Sequence, residues 1–152
     1  MKAVVQLALF CDIEDEACVR LVVVLRRVIE TNPERVGVTF RHHAAEGHTR
    51  SPVAYRAVLV ASRQGLGWEM LDMACANTDR LDDAGLESMA AQLGLNVKRF
   101  AADMAADDVT QVLENDEKEA ANLKLDNGPA LFVNGTRLGN VFTYDALVAV
   151  LK

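Results

Sequence analysis

The sequence predicts an α/β fold in which a β-α-β unit and a β-β-α unit flank a block of helices. Three observations carry this. Apolar, strand-like runs at 3–10 and 35–43 bracket a long stretch, 16–31, without Gly or Pro. From Pro52 to about Asn122 the apolar spacing turns helical. After Leu125 strand character returns around an Asn-Gly pair, a strong hairpin signal.

A chain of 152 residues is most simply one domain, residues 1–152, long enough to bury a substantial core. With 51% apolar residues it reads as folded. The net charge of -6 argues against general binding to nucleic acid or an anionic membrane. No run approaches the roughly 20 apolar residues of a membrane span, so membrane insertion is not expected. Residues 3–11 form an apolar run after Lys2, but Gln6 interrupts it, no small-residue cleavage site follows and an acidic cluster comes next. They read as a strand and not as an export signal, so the chain as written would be cytoplasmic. Three cysteines, Cys11, Cys18 and Cys75, with no CxxC, are too few for a disulfide scaffold and leave the redox compartment open.

Ala3 to Phe10 is a short apolar run of the kind buried on both sheet faces. Asp12 to Asp15 supplies N-cap candidates for a helix over Glu16 to about Thr31. That segment is rich in Val, but its 16 residues exceed an ordinary strand, and Asn32-Pro33 ends it. Arg35 to His43 alternates and reads as a second strand, followed by a polar loop over Ala44 to Ser51. Helices are expected at Val53 to Gln64, from Trp68 to near Asn77, from Asp82 or Asp83 to Gly94, at Asn96 to Met104, and from Asp107 or Asp108 through Ala120. This helical subdomain spans about 52–124. Pro129 to Val133, the turn Asn134-Gly135 and Thr136 to Leu138 form a hairpin. Thr143 caps a last helix, Tyr144 to Leu151. The order is that of a thioredoxin-like fold with a helical insertion between its two halves.

Several short motifs in this order resemble one family. They are Phe10-x-Asp12 before the first helix, Phe40-Arg41-His42 at the end of the second strand, and Trp68-Glu69-Met70-x-Asp72 in the insertion. Leu93-Gly94-Leu95-Asn96-x-x-Arg99-Phe100 and Gly128-Pro129-Ala130-Leu131-Phe132-Val133-Asn134-Gly135-x-Arg137-Leu138 follow. Together the chain resembles the DsbA-like thiol-disulfide oxidoreductases. The resemblance implies a CxxC dithiol at the turn after the first strand, no cofactor, and an extracytoplasmic setting.

Against that pattern Cys18 takes the place of the second, resolving cysteine, and Asp15 that of the nucleophile. Cys11 falls on a position that is usually small and polar. Pro129 falls on the family's cis-proline, and Gly128 replaces the Thr or Val usually before it. The CxxC is thus degenerate. A carboxylate at position 15 keeps negative charge at a helix N-terminus and can cap it, but it cannot form a mixed disulfide. Cys18 has three readings: a buried unreactive thiol, a one-thiol exchanger, or half of a Cys11-Cys18 bridge.

Other chemistry is weak in the sequence. His42, His43 and His48 with Cys11 or Glu46 match no strong metal pattern, so no metal is expected. The acidic runs at 79–83 and 114–117 read as solvated helix starts and faces. Trp68 reads as a core anchor of the insertion, and Cys75 as core packing. The functional expectation is a redox-degenerate binding or regulatory domain. Its partner would be an extended peptide or a partner protein held at the turn and at Gly128-Pro129. The alternative is an oxidoreductase acting through Cys18 alone or with Cys11. A third reading is that the chain is one domain of a larger protein, since relatives of this domain also look familiar as C-terminal attachments to membrane transporters.

Overall fold

The computed structural model describes residues 4–139 and 142–151. The first half is β1 (Val5–Cys11), α1 (Glu16–Thr31) and β2 (Val36–His42). The helical block is α2 (Arg50–Ser62), α3 (Gly67–Ala76), a short 3-10 turn (Thr78–Arg80), α4 (Asp83–Gln92), α5 (Val97–Met104) and α6 (Asp107–Asn122). The chain then closes with β3 (Ala130–Val133), β4 (Thr136–Arg137) and α7 (Tyr144–Ala149). The strands form one sheet in the order β2-β1-β3-β4. β1 runs parallel to β2 and antiparallel to β3, so the strand nearest the acidic turn is central.

Local sequence explains most of this. β1 alternates little because both faces are covered, as expected of a central strand. Leu7 and Leu9 join Leu21, Val22, Leu25 and Val28 of α1 and Leu147 of α7 in one buried cluster. On the other face Phe10 packs with Ala120 and Ala130. Asn134 and Gly135 both have positive φ, 48° and 86°, as a two-residue hairpin turn of matching twist demands. Thr143 caps α7 through the Ala146 N–H at 3.2 Å.

Some boundaries moved. β1 extends to Cys11, and Ala3 lies outside the described residues. α2 starts at Arg50, inside the expected loop. The reason is non-local: Thr49 makes no side-chain cap, and Glu14 accepts the Arg50 and Ser51 N–H groups instead, at 3.1 and 2.9 Å. The expected cis bond before Pro129 is not found, because no peptide bond among the described residues is cis. Gly128 carries the turn into β3 with φ of 97°, a conformation glycine adopts freely.

Candidate functional site

The turn between β1 and α1 is built from carboxylates that hold backbone N–H groups. Asp15 is the N-cap of α1, and one oxygen accepts from Ala17 N at 2.7 Å and Cys18 N at 3.3 Å. The sequence expectation that this acid would settle on the helix N-terminus is met. Glu14 reaches across to the start of α2, and Ser51 Oγ returns a contact by accepting the Ile13 N–H at 3.0 Å. Glu16, by contrast, is exposed and lies 3.8 Å from Arg20.

Asp12 is the anchor, only 1% exposed. Its oxygens accept from Glu14 N at 2.9 Å and Ala45 N at 3.0 Å, and lie 2.7 Å from His48 Nδ1. Burial pushes its acidity toward the neutral acid, but the Ala45 N–H, His48, Ser51 and the Glu14 N–H outweigh burial and hold the carboxyl below its ordinary range. The same hydrogen bond to Asp12 raises His48 above its ordinary value.

Both cysteines of the turn are buried and free. Cys18 has 0% exposure, and its Sγ accepts the Asp12 N–H at 3.1 Å. Burial, and then a hydrogen bond with Cys18, push the Cys11 thiol well up, so Cys11 stays protonated at neutral pH. Cys75, half-buried on α3, is pushed up to about 12 by burial. Reactive thiols need the opposite, a lowered pKa and access. The β1–β3 register pairs Phe10 with Ala130, which puts Pro129 alongside Cys11 at the mouth of the turn. Gly128 and Pro129 are half-buried there. The fold therefore brings Cys11, Asp15, Cys18, Gly128 and Pro129 to one end of the sheet.

A second polar cluster lies beside it. Asp116 of α6, read from sequence as part of a solvated face, is buried. It accepts from Arg41 Nε at 2.7 Å, His42 N at 3.0 Å and the Tyr55 hydroxyl at 2.9 Å. Arg41 also meets Glu119. His42 stacks on the Tyr55 ring with centroids 5.3 Å apart. Burial holds the His42 imidazole below its ordinary value, hence neutral. A signal for Asp116 was present, since it falls on the helical stripe of Val109, Leu113 and Ala120.

The three histidines do not gather. His43 Nε2 lies 2.9 Å from the Asp126 carbonyl, while His48 joins Asp12 and Glu14, the one metal-like grouping among the described residues. Those carboxylates already face backbone N–H donors from Glu14, Ala45, Arg50 and Ser51, which is poor preparation for a cation.

A β-α-β, helical block, β-β-α chain with a proline facing the first helix's turn is a thioredoxin-type protein. A family model described as a DSBA-like thioredoxin domain matches residues 12–152, so the chain belongs to the DsbA-like thioredoxin domain family. Among solved structures it is similar to a thioredoxin-like oxidoreductase from Silicibacter pomeroyi DSS-3, with a TM-score of 0.84, 21% identity, and coverage of 99% of this chain and 86% of that one. It is also similar to the thiol-disulfide exchange protein alpha-DsbA2 from Wolbachia pipientis, with a TM-score of 0.87, 16% identity, and coverage of 98% and 81%. At these identities the likeness is one of fold. By sequence it is 34% identical over 105 residues to a Na(+)/H(+) antiporter NhaA from Herminiimonas arsenicoxydans, a match of 69% of this chain and 17% of the antiporter. NhaA 3 of Salinispora tropica is 31% identical over 104 residues, or 68% and 16% of the two chains. The chain thus spans about a sixth of the antiporters it matches. No helix among the described residues is long and apolar enough to cross a membrane.

Proposed function

We propose that this chain is a redox-degenerate DsbA-like domain that works as a binding or regulatory module, with Asp15 standing where the family's nucleophilic cysteine would be. The observation that carries the reading is the Asp15 cap. The N–H groups that would stabilise a thiolate are spent on a carboxylate, and the remaining thiol, Cys18, is fully buried. Disulfide exchange needs an attacking thiolate, and the turn offers no exposed one. An extended peptide or partner protein would lie at the turn against Gly128 and Pro129, in a shelf with no side chain at 128. The antiporter relatives support placing the domain beside a membrane transporter, within a longer protein.

The test is catalysis by the wild-type domain in insulin reduction and in disulfide transfer to a reduced protein. No turnover above background is expected, and measurable dithiol turnover overturns the reading.

The alternative, thiol exchange through Cys18 alone or with Cys11, is supported by the placement of both free, buried cysteines at the same turn, where Cys18 Sγ accepts the N–H of Asp12, the residue next to Cys11. Mass spectrometry after alkylation at neutral pH, with and without prior oxidation, distinguishes them. Slow labelling of Cys18 in the folded protein and no Cys11–Cys18 bridge are the expected results.

A further inference from the structure

We infer that the junction between β2 and α6 is a proton-operated latch: in mild acid His42 takes a proton at Nε2, and Glu117 closes on it and draws α6 toward the end of β2. The latch is independent of whether the turn exchanges disulfides. It rests on an unpaired group. His42 is 1% exposed, and its Nε2 has no hydrogen-bond partner among the described residues. Buried polar atoms are nearly always paired, so one that is not calls for a reason. The rest of the residue is fixed: its ring stacks on Tyr55 with planes 17° apart, and its N–H donates to Asp116. His42 also pairs with Cys11 across the ladder, so it stands one residue from the turn that begins at Asp12.

One acid is placed to answer that proton. Glu117 Oε1 lies 3.7 Å from His42 Nε2, beyond hydrogen-bond reach, and its side chain is 60% exposed. Water competes well for this carboxylate against a neutral imidazole. Against an imidazolium the bond becomes charge-assisted, about twice as strong, and the balance moves to closure. The other charged and titratable groups around the ring are already engaged. On α6, Asp116 accepts from Arg41, the His42 N–H and Tyr55. On the β1 side, Asp12 is held by Glu14, Ala45 and His48, and the Cys11 thiol stays protonated. On α2, the Tyr55 hydroxyl bonds to the Phe40 carbonyl and to Asp116. Beside His42 in the chain, Arg41 pairs with Asp116 and Glu119, and His43 meets the Asp126 carbonyl. Burial, the largest influence, keeps His42 below its ordinary 6.5, against the pull of Glu117, Asp116 and Asp12. The neutral ring therefore favours the fold above 6.5, and that contribution is lost as pH falls through the lower folded value. The latch is open at neutral pH and closes as His42 gains its proton.

The chain has three histidines, so each ring can be followed separately by nuclear magnetic resonance, together with the backbone amides, from about pH 8 to about pH 5. His48, raised by its bond to Asp12, titrates above 6.5 and is told apart by that. His42 is expected to titrate below 6.5, with the amides of Glu117 and its neighbours on α6 moving at the same midpoint. Glu117→Gln changes an exposed side chain and should leave the fold intact. It should lower the His42 midpoint by about 0.5 of a pH unit and abolish the shared movement of α6. A His42 midpoint that Glu117→Gln leaves unmoved, or α6 amides that do not follow His42, would show a buried imidazole without a latch and overturn the inference. So would a His42 ring that takes up no proton before the chain unfolds in acid.

Discussion

The acids at the α1 turn and the acid on α6 are both held by hydrogen bonds, but in different ways. Asp15 bonds to N–H groups two and three residues ahead, while Asp116 bonds to groups 61 to 75 residues away. The first is a local cap that any strand-to-helix turn can use. The second is a clamp that ties α6 and α2 to the end of β2. The turn thus spends its acids on shaping the start of α1, and the clamp spends its acid on holding the end of β2 against the helical block.

The contrast orders the expected losses. Asp116→Ala is the largest, because it strands the buried Tyr55 hydroxyl, the His42 N–H and the Arg41 guanidinium together. Breaking such a buried pair costs about 3–5 kcal/mol, to be read from the midpoint of urea unfolding. A loss within the range of a surface change would show that Asp116 is no clamp.

Asp12 comes next, since it combines local and distant partners. Asp12→Ala should cost about 1.5–3 kcal/mol, the scale of hydrogen bonds to a buried charge. The effect depends on pH, with opposite signs on its two flanks. The Asp12 carboxyl is held below its ordinary value of 3.8, so its contribution is present above that pH and is lost as pH falls through the lower folded value. His48 is raised above its ordinary 6.5, so its contribution is full below that pH and is lost as pH rises through the higher folded value. Unfolding curves across pH should therefore show the wild-type advantage over Asp12→Ala at its greatest between about 4 and 6.5.

The smallest effect belongs to the cap. Asp15→Ala should cost about 0.5–2 kcal/mol in thermal or urea unfolding, because it leaves the Ala17 and Cys18 N–H groups to water. A larger loss would mean that Asp15 does more than cap.

The same contrast separates what the sequence showed from what it hid. Element order was legible because periodicity and caps are local: Asp15, Asn96 and Thr143 each cap the helix that follows them. The start of α2 was not, because Glu14 caps it from 36 residues earlier. Asp116 looked solvated beside Glu114 and Glu117, though its place on the apolar stripe of α6 marked it as buried. The arrangement of Cys11 and Cys18 also needed the structure, since their burial depends on α1 packing over β1.

The most direct measurement of the central claim is Asp15→Cys, which restores a CxxC at 15–18 on an otherwise unchanged scaffold. With the cap position as described, this variant should reduce insulin and cycle between dithiol and disulfide while the wild type does neither. A variant that folds as the wild type does but stays inert, or a wild type that already turns over, would contradict the account.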